Sequence, residues 1–172
     1  MIVSRGVTAP VPVEQARTAV QNWLIREGTP LNAGIGTHVT GSKTIKDKVG
    51  RELFHVVYLS KTGTSTSGYV IVSPDDSTEP IIAFSSGARL DEAPGSPLYM
   101  IALRDMGHRL NAVRNATAAD SHTTAYASQV KSKSKWATLM KPIASGKQGL
   151  NDIWLLLPSG IGKIQIKSIT FE

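Results

Sequence analysis

Apolar residues recur along this chain with two different periods, and the changes of period divide it into elements. Between Pro10 and Pro30, Val13, Ala16, Ala19 or Val20, Trp23 and Leu24 fall at three- and four-residue spacing, which is one helix face. Pro12 suits the first helical turn because its missing N–H would have no partner there. Glu14 favours the positive end, and Gly28 with Pro30 stops the helix, so the pattern predicts a helix from Pro12 to Glu27.

After the Gly-rich stretch LNAGIG the period drops to two. Segments rich in β-branched and aromatic residues run from His38 to Ile45, Leu53 to Ser60, Gly68 to Ser73 and Pro80 to Phe84, with KTGTSTSG and PDDSTE as hairpin-type connections. These read as an antiparallel meander. In the second segment Phe54, Val56 and Tyr58 alternate with Leu53, His55, Val57 and Leu59. Both faces are therefore apolar, as in a central strand with one face under a helix and the other at least partly covered.

The helical period returns at Ser96-Pro97, an N-cap followed by proline, and continues through Leu98, Ala102, Met106, Leu110 and Val113. Gly107 inside it costs about 1 kcal/mol relative to alanine, a cost that a close helix approach would justify. Arg104, His108 and Asn115 lie on the opposite, solvent-facing side. Further on, Ala119, Tyr126, Val130, Trp136 and Met140 suggest one helix, or two short ones interrupted by a Ser/Lys run, ended by Pro142. Asp152 to Leu157 and Lys163 to Phe171 read as two strands around PSGIG, with a bulge at Lys167-Ser168.

The expected architecture is α+β: a twisted antiparallel sheet of about four strands with amphipathic helices packed on one face, plus a C-terminal helix and β-hairpin extension. Residues 1–11 form an N-terminal tail, 12–116 the main domain, and 117–172 an extension packed on the same domain. Trp23, Leu24, Val56, Tyr58, Val70, Val72, Ile82, Leu103, Met106 and Leu110 are the expected core. A chain of 172 residues buries roughly 70% of its extended surface, so stability needs neither metal nor disulfide.

Composition narrows the chemistry. With no cysteine, the chain has no disulfide, no thiolate metal site and no thiol nucleophile. No apolar run approaches the roughly 18 residues of a membrane span, and MIVSRGVTAPV lacks the apolar core of a signal peptide. The net charge of +6 is uneven: residues 1–86 carry 8 Lys and Arg against 7 Asp and Glu, and residues 87–172 carry 11 against 6. Part of the excess is the KSKSK run at Lys131, Lys133 and Lys135, which reads as a solvated helix end or loop. With 6% aromatic residues to serve as stacking platforms, the chain gives a nucleic-acid surface little support.

Catalytic constellations find equally little. His55 stands alone in a strand and reads as a packed polar side chain, and His38, His108 and His122 have no ligand spacing with one another. Ser85-Ser86-Gly87 lacks the first glycine of a nucleophile elbow and reads as a turn. Asp75-Asp76, in SPDDST, read as turn formers that accept local backbone N–H groups. No catalytic residue, cofactor or metal is expected.

The stretch LFHVVYLSKTGTSTSGYVIVSPDDSTEPIIAFSSG resembles the propeptides of streptopain-like cysteine peptidases and the related stand-alone Spi-type inhibitors. Gly68 to Ser73 is similar to their GFVIVS element, Asp75 and Asp76 to the acidic turn, and Ile81 to Gly87 to the closing strand. The resemblance covers roughly residues 12–113. It implies a non-catalytic inhibitor that blocks the cleft of a streptopain-like cysteine peptidase, its partner, in an extracellular or periplasmic setting. The alternative is a secreted or surface protein-interaction domain that kept the fold without inhibition. Two departures stand out: the chain cannot be the peptidase, having no cysteine, and the loop from Ala88 to Pro97 lacks the family's asparagine. That loop joins the last strand of the meander to the helix capped at Ser96. Its segment Asp91, Glu92, Ala93, Pro94, Gly95 and Ser96 is the expected binding element, with Asp91 or Glu92 as acceptor for a peptidase imidazolium.

Overall fold

The computed structural model describes residues 9–28, 30, 34–61, 66–87, 89–115 and 124–143. Helix α1 (Val13–Glu27) leads into strands β1 (His38–Lys46), β2 (Glu52–Ser60), β3 (Thr66–Val72) and β4 (Ile81–Ser85). Helices α2 (Pro97–Asn115) and α3 (Thr124–Met140) follow. The strands form one antiparallel sheet in the order β1-β2-β3-β4, the topology that short hairpin connections impose. The expected strands over 152–157 and 163–171 lie outside the described residues.

The α+β class and the four-stranded meander are as expected, but the placement of the helices is not. They do not share one face of the sheet. Val57, Leu59, Val70 and Val72 pack with Ala16, Ala19, Val20 and Leu24 of α1 and with Trp136 and Leu139 of α3. Phe54, Val56, Tyr58, Tyr69 and Ile71 pack instead with Ala102, Met106 and Leu110 of α2. Alternate residues of one strand point to opposite faces, and here both sets are apolar, so each face requires its own helical cover. The register supports this division, with Val57 opposite Val70 and Tyr58 opposite Tyr69.

Of the ten expected core residues, Leu24, Val56, Tyr58, Val70, Val72, Met106 and Leu110 are buried, while Trp23, Ile82 and Leu103 are partly so. Trp23 packs against Phe84 with ring centroids 5.3 Å apart. Pro12 stands one position earlier than expected. It is the N-cap residue, and its carbonyl accepts the Ala16 N–H at 3.1 Å. At the other end of α1, Gly28 adopts φ 68°, where a Cβ would be strained, and donates its N–H to the Leu24 carbonyl at 2.9 Å.

Helix α3 runs unbroken through the Ser/Lys segment, because that segment has a partner. Lys133 lies 3.8 Å from Asp76, Lys135 pairs with Glu79, and the Trp136 indole N–H donates to the Thr78 carbonyl at 3.0 Å. Two of the three lysines expected to be solvated, Lys133 and Lys135, thus lie against the acidic turn between β3 and β4. Gly107 needs correction as well: nothing approaches within 4 Å of the position a Cβ would take, so no close packing demands glycine there.

Candidate functional site

The loop between β4 and α2 crosses the α2 face of the sheet, starting at the β4 edge. Ala88 lies outside the described residues. The Arg89 guanidinium sits 4.6 Å above the centroid of the Tyr58 ring, on β2. Leu90, 5% exposed, joins the core beneath α2. Glu92 reaches Lys43 of β1, with Oε2 and Oε1 at 2.6 and 2.8 Å from Nζ. Within a few residues the chain has touched β2, the core and β1.

Beyond this crossing the loop closes into a turn. The Ala93 N–H donates to the Asp91 carboxylate at 3.0 Å, and the Ser96 N–H donates to the Ala93 carbonyl at 2.9 Å. The Ser96 carbonyl then accepts the Met100 N–H at 3.0 Å, in the first turn of α2. Ser96 is itself buried, so its place is structural, whereas Asp91, Ala93, Pro94 and Gly95 are exposed. The six expected residues therefore divide into an outward set and an anchored pair, Glu92 and Ser96.

Electrostatics reinforces the anchoring. The hydrogen bond to Glu92 is the main reason the Lys43 ammonium stays protonated to higher pH than usual. Burial pushes the Tyr58 hydroxyl above its ordinary 10.0, and the Glu92 charge adds to that shift. Sequence reasoning did not single out Lys43 or Arg89. Lys43 is 49 residues from Glu92, and no local pattern announces a pair at that distance.

Exposed apolar residues gather beside the turn. Leu98, Met100 and Ile101, at 44%, 50% and 64% exposure, stand in the first turns of α2 immediately after the loop. Leu98 and Ile101, three residues apart, are neighbours on the helix surface, whereas Met100, two residues after Leu98, points to another side.

The other polar candidates serve the scaffold. His55 is 1% exposed; its Nε2 lies 2.8 Å from the Val11 carbonyl and its Nδ1 2.9 Å from the Thr44 hydroxyl. Since a carbonyl can only accept, Nε2 carries the proton, and the ring ties residues 9–11 to the sheet. Asp75 accepts the Ser77 N–H at 2.9 Å, the local role expected of a turn former. Asp76 reaches further and accepts the Ala9 N–H at 3.0 Å. Ser85 Oγ accepts the Gly87 N–H at 3.1 Å, closing a turn. Among the described residues no group of three His, Asp or Glu side chains gathers, and no described helix is long and apolar enough to cross a membrane.

No curated protein and no solved structure matches the chain. Residues 8–109 match the family described as Spi protease inhibitor. That match takes in the segment around Val11 that His55 holds, α1, the sheet, the crossing loop and most of α2, and it leaves α3 outside. Covering more than half of the 172 residues, it places the chain in the Spi protease inhibitor family.

Proposed function

We propose that this protein inhibits a streptopain-like cysteine peptidase by laying the loop of residues 91–96 along its active-site cleft. Family membership supports a protease inhibitor domain, and the loop's geometry supports the mode of action. The carrying observation is the turn at residues 93–96: it is held at both ends by rigid elements, closed by the Ser96 N–H bond to the Ala93 carbonyl, and exposed at Ala93, Pro94 and Gly95. A prefolded loop enters a cleft with little loss of conformational entropy, and Pro94 restricts its backbone further. The Asp91 carboxylate, exposed at the loop's start, is the acceptor offered to a catalytic imidazolium, since Glu92 is engaged with Lys43. Leu98, Met100 and Ile101 supply apolar surface to the rim of such a cleft. The role is binding, without covalent chemistry, and the resemblance of the sequence to streptopain propeptides supports an extracellular or periplasmic setting.

Steady-state kinetics with a peptide substrate tests this reading. A loop in the cleft competes with substrate, so increasing inhibitor is expected to raise the apparent KM and leave kcat unchanged. A fall in kcat at constant KM would place the contact outside the cleft and contradict the proposal.

A further inference from the structure

We propose that Lys43 and Arg89 are positioning residues that strap the 91–96 loop across the sheet and hold its turn in the binding-ready shape. The inference rests on the loop reading above and adds how the loop is kept ready. An exposed ion pair such as Lys43–Glu92 contributes little by itself, and the strap depends instead on convergence. Arg89, Leu90 and Glu92 are nearly consecutive, yet each is held by a different part of the molecule: the Tyr58 ring on β2, the core beneath α2, and Lys43 on β1.

The alternation along this segment gives the strap its directionality. Leu90 is buried and Glu92 is half-buried, while Asp91 between them is exposed, as in an extended chain with one side laid on the sheet. The turn of residues 93–96 begins immediately where the strap ends. Lys43 takes both carboxylate oxygens of Glu92, which fixes the carboxylate's position more firmly than a single contact would. Release of this end would leave residues 91–95 tethered by Leu90 on one side and Ser96 on the other, free to sample many shapes. The partner would then meet the competent shape less often, so the loss falls on the association rate. Because Lys43 is exposed, salt weakens the strap, and inhibition acquires an ionic-strength dependence independent of any charge on the partner.

The test compares the full chain with Lys43→Gln, Arg89→Gln, Glu92→Gln and the exchanged pair Lys43→Glu with Glu92→Lys. Two quantities are measured: hydrogen exchange at the Ala93 and Ser96 amides of the free protein, and the association rate with a streptopain-like peptidase. The single variants are expected to exchange faster at both amides and to associate roughly three- to tenfold more slowly. The exchanged pair is expected to recover both. Unchanged exchange in the single variants would overturn the strap. Faster exchange with unchanged association would uphold the strap and overturn instead the loop reading on which its role rests.

Discussion

Asp75 shows how a single side chain can be placed at a cost. It is 3% exposed, beside Asp76, and burial pushes its pKa above the ordinary 3.8 although the Ser77 N–H bond pulls the other way. A carboxyl group whose folded-state pKa is raised holds its proton more tightly when folded. Its contribution to stability is therefore full below about 3.8 and is lost as pH rises through the folded value. At neutral pH the ionised group opposes folding. Asp75→Asn keeps the Oδ1 acceptor and removes the charge, so the variant is expected to melt above the parent at pH 7 and to converge with it as pH falls below about 3.8. Thermal unfolding across that range checks it, and a difference independent of pH would contradict the argument. His55 illustrates the opposite case: a solitary histidine in an apolar strand reads as packed, and both its ring nitrogens have partners.

At the scale of elements, periodicity located α1, the four strands and α2, because each has an apolar stripe generated by its own residues. It did not locate the helices on the sheet. The alternation of Phe54, Val56 and Tyr58 with Val57 and Leu59 shows that two faces need cover, but not which helix goes to which. That choice depends on how the chain passes from α1 into β1 and from β4 into α2, which no stripe records. The continuity of α3 was hidden for a similar reason. KSKSK resembles an interruption until Asp76 and Glu79, more than 50 residues earlier, are seen beside it. Gly107 yields a prediction at this scale. With open space at its Cβ position and a helical backbone, Gly107→Ala is expected to stabilise the protein by about 1 kcal/mol and to raise its melting temperature. A lower melting temperature would mean that the position carries a packing demand absent from this structure.

For the whole molecule, the sheet acts as a rigid plate carrying two separate jobs. One face, under α1 and α3, is closed by buried apolar packing and by the lysines of α3 lying on the acidic turn. The other, under α2, carries the crossing loop, which leads into the exposed Leu98, Met100 and Ile101 at the start of α2. The ends of the loop were legible in the sequence, since a strand before it and the Ser96-Pro97 helix start after it are local features. Its anchors were not, because they join residues distant in sequence through the tertiary fold. On the proposed function, the outward part of this loop inhibits the peptidase. The most direct test titrates a streptopain-like peptidase with the parent protein and with a variant whose residues 91–95 are replaced by glycine and serine. Thermal unfolding would verify that the variant is folded. The parent is expected to inhibit and the variant to bind roughly 100-fold more weakly, the loss that follows when the few residues dominating an interface are removed. Equal inhibition by the two proteins would contradict the claim.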